Sequence, residues 1–215
     1  MDLTVTTFVT LDGVMQSPGG AQEDPSGGFT RGGWVAPFFD EAGGARIGEW
    51  FGRAAELLLG RFTYETFKAY WPQVTDPSNT VAHAINTLPK HVVTRTGTDL
   101  GWTGARLVEG DVVEAVRALK ARDADGELQV HGSAGLLQTL LAVPDLVDEL
   151  RVLTFPVTTG PGKRLFGDAV APATWRLTDC SATDTGVVVS VYAHGGPFVS
   201  GGFGIEDGGE VVLTQ

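Results

Sequence analysis

At 215 residues, with 42% hydrophobic and 19% charged residues, the chain is long enough for one globular domain, alone or with an appendage, and too apolar for a disordered segment. A formal net charge of −11 argues against nucleic acid and anionic membrane surfaces as partners, while an anionic cofactor stays possible if the few Arg and Lys gather locally. Cys180 is the only cysteine and His83, His91, His131 and His194 lack metal-ligand spacing, so no disulfide and no metal site are expected.

Asp2 follows Met1 with no positively charged leader, and no apolar run reaches membrane-spanning length; the expectation is a soluble cytoplasmic protein. Residues 2–11 alternate, with Leu3, Val5, Val9 and Leu11 on one parity and Thr4, Thr6 and Thr10 on the other, which predicts a strand ended by Asp12-Gly13. Residues 16–33, rich in Gly, Pro, Ser and Gln, read as a long loop of the kind that serves as a lid, with little stiffness. Pro37 suits the start of a helix whose stripe is Phe39, Ile47, Trp50, Phe51 and Ala54, weakened at Gly43-Gly44.

A buried strand follows at 56–59 and stops at Gly60, and a helix near 63–70 ends before Pro72. Residues 73–89 read as irregular, with a short helix around 78–87. Strands are expected at 90–94 and 106–109, then a helix behind the acidic capping box Asp111 to Glu114, carrying Val113, Val116 and Leu119. A strand at 128–131 runs into Gly132-Ser133-Ala134-Gly135, with Ser133 as N-cap of a helix bearing Leu136, Leu137, Leu140 and Leu141. A strand at 148–157, a Gly-Pro-Gly-Lys-Arg loop at 160–164 and a hairpin from 175–181 and 186–193 come next. The tail from 195 is turn-rich, and 203–215 suits an extra hairpin around Asp207-Gly208-Gly209. Strands alternating with helices and closed by a hairpin predict an α/β sandwich whose mixed sheet is parallel in the middle and antiparallel at one edge.

The junction at Gly60 carries the clearest chemical signal. A strand that turns at a glycine into a helix presents free N–H groups and the positive end of the helix dipole, which together suit a phosphate. Arg61 adds charge and Thr63 a hydroxyl. The glycine turn at 132–135 is a second junction of this kind, suited to another anion contact or simply to close helix–strand packing.

Thr10-Leu11-Asp12-Gly13, Gly60-Arg61-Phe62-Thr63-Tyr64-Glu65, Lys90-His91-Val92-Val93-Thr94, Val130 to Leu136, Val147-Asp148-Glu149-Leu150 and Pro156 to Phe166 follow one another in an order that closely resembles the dihydrofolate-reductase-like family. The nearest branch is the reductase domain of the bifunctional riboflavin-biosynthesis deaminase-reductase. The resemblance covers about residues 1–194 and leaves 195–215 as an extension. It implies a three-layer fold, NADPH as hydride donor and a small heterocyclic or ribosyl substrate, and it places cofactor phosphates at Gly60, Arg61 and Thr63. It assigns the 2′-phosphate to Thr94, Arg95 and Thr96, and the pyrophosphate to Gly132, Ser133, Ala134 and Gly135. Asp12, at a strand end, and Asp40, near the first helix, are the candidate catalytic acids, with water as the other proton source. A single cysteine cannot supply the cluster of a zinc deaminase, so the resemblance extends at most to the reductase half.

Two other readings remain: a pteridine or dihydrofolate reductase, which a buried carboxylate facing the cleft would favour, and a nucleotide-binding module without turnover. Family members are commonly dimeric. The apolar tail, with Phe198, Phe203, Ile205, Val211, Val212 and Leu213, is expected to pack on a strand edge, its own or a partner's, in a symmetric homodimer.

Overall fold

Alternation and junction glycines set the architecture of the computed structural model, which describes residues 1–214. The elements run β1 (Asp2–Thr10), α1 (Glu41–Phe51), β2 (Ala54–Gly60), α2 (Arg61–Tyr70), α3 (Thr80–Thr87), β3 (Lys90–Val93), β4 (Ala105–Leu107), α4 (Val112–Lys120), β5 (Glu127–His131), α5 (Ala134–Leu141) and β6 (Glu149–Phe155). β7 (Ala173–Ala182) and β8 (Val188–Pro197) complete an eight-stranded sheet of order β4-β3-β2-β5-β1-β6-β8-β7. β4 through β6 in that order pair in parallel, and β8 joins β6 and β7 antiparallel, as the sequence leads one to expect.

Successive side chains on a strand point to opposite faces, so each face builds its own core. Leu3, Val5, Leu58, Leu128 and Val130 pack under Val116 of α4 and under Leu136, Leu137, Leu140 and Leu141 of α5. Leu57, Leu59, Val92, Leu153 and Phe155 pack on the other side, against Trp50 and Phe51 of α1, Tyr64 of α2 and Ile85 of α3. The result is a three-layer sandwich with β1 in its centre. Thr4, Thr6 and Thr10 are therefore buried as well, since a central parallel strand has no solvent face.

Boundaries move where caps decide them. Pro37 sits in a short 3-10 turn, Ala36–Phe38, and α1 begins only after Asp40, whose Oδ1 accepts the Gly43 N–H at 2.9 Å. Ala54 opens β2 and does not belong to the helix stripe. β8 runs past His194 to Pro197. Beyond it, β9 (Gly201–Glu206) and β10 (Gly209–Thr214) form a ribbon that turns at Asp207 and Gly208, both at positive φ. Gln215, the end of the expected hairpin, lies outside the described residues. Among those residues the ribbon is a separate two-stranded sheet and does not extend the chain's own sheet edge. Phe203, Ile205 and Val212 are 76%, 80% and 70% exposed on it.

The face of the sheet beneath α1 also carries a buried ionic group. Arg151 is fully buried, donating from Nε to Glu149 at 2.6 Å and from Nη2 to Glu127 at 2.7 Å, with Trp50 over its guanidinium. Burial alone would raise the Glu127 carboxyl, but the Arg151 guanidinium beside it holds it below the ordinary value.

Candidate active site

Two strand–glycine–helix junctions lie side by side at the carboxyl ends of the parallel strands. Gly132 (φ 64) and Ser133 (φ 68) both adopt left-handed backbone, which carries the chain from β5 into α5. The turn aims Ser133 at the neighbouring junction: its Oγ accepts the Gly60 N–H at 2.9 Å and donates to Thr63 Oγ1 at 2.7 Å. Ser133 is thus at the expected N-cap position, but its side chain does not cap α5. A Cβ on Gly60 would stand 2.8 Å from Ser133 Oγ and 3.0 Å from its Cβ, so this contact requires glycine there.

The caps sort the helices by task. α1, α3 and α4 have side-chain caps, from Asp40, Asn79 and Asp111. α2 and α5 have none, so their first N–H groups remain available to an outside anion. A third turn closes the group at the end of β3. There the Thr94 hydroxyl accepts the Thr96 N–H at 3.1 Å and donates to the Thr96 carbonyl. Arg95 in this turn is exposed and has no carboxylate partner among the described residues. Arg61 lies along its own helix, 3.2 Å from Glu65.

All ten residues expected to hold the cofactor (Gly60, Arg61, Thr63, Thr94, Arg95, Thr96, Gly132, Ser133, Ala134 and Gly135) line one cleft of about 2030 Å³. Pockets for a single small ligand span roughly 300–1,000 Å³, so this one has room for a dinucleotide and a second molecule. α1 also contributes Ile47, Gly48 and Phe51 to the lining, and Thr6 and His131 come from the sheet.

The two candidate acids are elsewhere. Asp12 accepts the Thr10 hydroxyl at 2.6 Å and the N–H groups of Thr159 and Gly160 at 3.1 and 2.7 Å. The Thr10 bond above all pulls its pKa down to about 2. Asp40 caps α1 and also takes the Thr185 hydroxyl at 2.9 Å, and the Gly43 N–H is the main cause of its lowered pKa. Neither carboxylate lines the cleft, so both fasten turns, and neither is placed to deliver a proton there. Of the carboxyls that do line the cleft, Glu23, Asp24, Glu49 and Asp111, the one whose pKa is raised is Glu23, by burial against the bonds from Gly19 and Gly20, and sequence reasoning missed it. Its only sequence signal was membership of the long loop.

That loop is stiffer than its glycines suggest. Gln16, Ser17 and Asp24 are buried. The Gln16 amide donates to the carbonyls of Asp24 and Ser26 at 2.9 Å, and the Trp34 indole donates to the Gln16 carbonyl at 2.9 Å. Ser17 Oγ accepts the Asp24 N–H at 2.6 Å, and Lys163 Nζ lies 2.6 Å from Asp24 Oδ2. Gln16 to Gly20 and Gln22 to Asp24 form part of the cleft wall.

Among the described residues no cluster of three or more His, Cys, Asp or Glu could hold a metal ion, and no helix is long and apolar enough to cross a membrane. The layered sheet thus carries two open helix starts on one cleft. The chain belongs to the RibD C-terminal domain family, which residues 2–189 match. It is 26% identical over 194 residues to the uncharacterized protein YyaP of Bacillus subtilis (strain 168), covering 87% of this chain and 92% of that one. Among solved structures it superposes on a putative riboflavin biosynthesis protein from Shewanella sp. PV-4, with a TM-score of 0.67, 19% identity, and coverage of 90% of this chain and 99% of that one. It also superposes on the Thermotoga maritima diaminohydroxyphosphoribosylaminopyrimidine deaminase/5-amino-6-(5-phosphoribosylamino)uracil reductase, with a TM-score of 0.59 and 16% identity. There 90% of this chain matches 56% of the bifunctional one.

Two predictions test this geometry. Gly60→Ala should cost about 1–3 kcal/mol in urea unfolding, as over-packing does, and Ser133→Gly in the same chain should recover part of that loss. In hydrogen exchange, the amides of Asp24 and Gly33, bonded to Ser17 Oγ and to the Ser17 carbonyl, should be protected without any ligand, while those of Gly27 and Gln22 exchange fast. Uniformly fast exchange across 16–33 would mean that the buried bonds do not hold the loop.

Proposed function

We propose that the protein is an NADPH-dependent reductase of the riboflavin-pathway type, transferring hydride to a heterocyclic or ribosyl substrate such as a ribosylaminopyrimidine phosphate. The observation that carries this reading is the pair of uncapped helix starts, joined through Ser133, on a cleft with space for two ligands. The N–H groups at the start of α2 and of Ala134-Gly135 would hold the pyrophosphate. Thr94, Arg95 and Thr96 would hold the 2′-phosphate, with Arg95 as a permanently charged planar donor. The nicotinamide, when bound, supplies the hydride; the chain supplies position and electrostatics. The proton would come from Glu23 or from water, because Asp12 and Asp40 lie outside the cleft.

The pteridine-reductase reading is less well supported. The cleft face of α1 presents Ile47, Gly48 and Phe51, and its one carboxylate near the cleft, Glu49, is an exposed partner of Arg46. The size of the cleft argues against a module without turnover. The bifunctional relative's name describes a deaminase as well; a single cysteine does not furnish that chemistry here.

NADPH should bind more tightly than NADH, and Arg95→Ala should cost about tenfold or more for NADPH with little change for NADH, as removal of a charge-assisted bond does. Fluorescence titration of both cofactors checks this, and equal affinities in the wild type would overturn the assignment.

A homodimer is part of the same proposal. An isolated two-stranded ribbon is marginal in water, and β9 and β10 expose apolar side chains along their length. A second copy would cover them. Light scattering should give a dimer for the full chain and a smaller species after truncation at Pro197; a monomer in both cases removes the dimer, and a dimer in both removes the ribbon's part in it.

A further inference from the structure

The cleft has a polar floor that the cofactor contacts do not use. His131 ends β5, Thr6 stands beside it in register on β1, and Arg151 stands beside Thr6 on β6. These residues are 8%, 3% and 0% exposed. Thr6 Oγ1 and Arg151 Nη1 have no hydrogen-bond partner among the described residues. His131 and Thr6 line the cleft, and Phe51 stacks flat on the His131 ring, with centroids 4.1 Å apart and planes 6° apart. A row of under-satisfied polar groups under an aromatic cover is a costly way to fill a core, and a natural way to receive a polar ligand.

The neighbours of His131 determine which atom it offers. Gln129 Nε2 donates to the Trp50 carbonyl at 2.7 Å and to Glu127 Oε2 at 2.6 Å. Glu127 is in turn held by Arg151 at 2.7 Å. The Gln129 amide is therefore fixed, and the atom it turns toward His131 Nε2, at 2.9 Å, is Oε1, which only accepts. So Nε2 carries the ring proton and Nδ1 carries a lone pair. No described residue donates to Nδ1. Burial first, and the Arg151 charge second, push the imidazole pKa down to about 3, so the lone pair stays free at neutral pH.

We propose that His131 is a specificity residue for the second ligand of the cleft: Nδ1 accepts a hydrogen bond from an N–H on the edge of a planar nitrogen heterocycle. Gln129 acts through it as a positioning residue by fixing the tautomer. The bond lies in the imidazole plane, one face of which Phe51 covers, so the ligand edge meets an acceptor of fixed direction. A heterocycle that presents an acceptor or an alkylated nitrogen at that edge meets two facing lone pairs or a clash, and is rejected. This inference rests on the reductase reading for the existence of a second ligand, and concerns which edge of that ligand is read.

The test uses the full chain with 15N-labelled histidine, and uracil and 1,3-dimethyluracil as probes. Long-range 1H–15N spectra of the free protein should show His131 as the Nε2–H tautomer, unprotonated across the range where an ordinary histidine titrates. Gln129→Met should give mixed tautomers, a change that loss of packing alone does not produce. Uracil should move the Nδ1 signal, whereas dimethyluracil, with no N–H, should not. His131→Phe, which keeps the stack on Phe51, should weaken uracil about tenfold, the effect of losing one such bond, and should melt somewhat lower, because the buried Gln129 Oε1 loses its donor. An Nδ1–H tautomer, or ordinary titration of His131, overturns the proposal. NADPH is titrated into the same samples. A protein that binds NADPH but whose His131 ignores uracil overturns this proposal and leaves the reductase reading standing. A protein that engages uracil through His131 and binds no NADPH overturns the reductase reading alone.

Discussion

The bridge from Ser133 to Gly60 and Thr63 is the contact on which the site depends. One hydroxyl accepts the last strand N–H of β2 and donates to the first turn of α2. It can do so only because Ser133 adopts left-handed backbone, which costs an L-residue roughly 1–2 kcal/mol. An ordinary serine at that position would turn its oxygen to the N–H groups of α5 and stabilise its own helix. Here the side chain is spent between the junctions instead. Both helix starts stay open and are tied to each other through one side chain. Gly60 completes the arrangement, because a methyl group there would push Ser133 away.

The sheet beneath the cleft divides its labour by face. Toward α4 and α5 it is apolar, from Leu3 and Val5 through Leu128 and Val130. Toward α1 it mixes aromatic packing with a connected polar chain: Glu149 and Glu127 hold Arg151, Glu127 and the Trp50 carbonyl hold Gln129, and Gln129 holds His131. Buried ion pairs of this kind contribute little net stability relative to well-packed apolar side chains. Their value is direction. Each member fixes the orientation of the next, and the last one reaches the cleft.

The fold was legible where the sequence repeats a simple physical signal. The alternation of β1, the Leu57–Leu59 run and the capping box at Asp111 all mark real elements, because period and cap chemistry act locally. The mixed sheet followed from element order, and the resemblance named the family that residues 2–189 match. The two junctions were legible as glycines between strand and helix. Three things were not. Asp12 and Asp40 are held by near neighbours, Thr10 and Gly43, and also by Thr159, Gly160 and Thr185, far away in the chain, and a carboxylate so tied looks in sequence like one that faces a cleft. The tautomer of His131 depends on Trp50 and Glu127, which no spacing reveals. The stiffness of the long loop comes from Gln16, Trp34 and Lys163 reaching across it, while its composition reports only glycine.

The loop and the junctions together define how a ligand could be enclosed. The base of the loop is pinned, since Gly32 packs so closely on Ser17 and Gly20 that a Cβ would meet the Gly20 carbonyl at 2.5 Å. Within that packed turn Glu23 holds the N–H groups of Gly19 and Gly20 at 2.6 and 3.1 Å. Burial raises the Glu23 pKa, so closing the cleft further would favour its protonated form. A protonated Glu23 accepts those amides less strongly than the carboxylate does. Desolvation thus loosens the carboxylate's hold on two loop amides by the same step that favours its protonated form, in the part of the cleft wall that Glu23 lines.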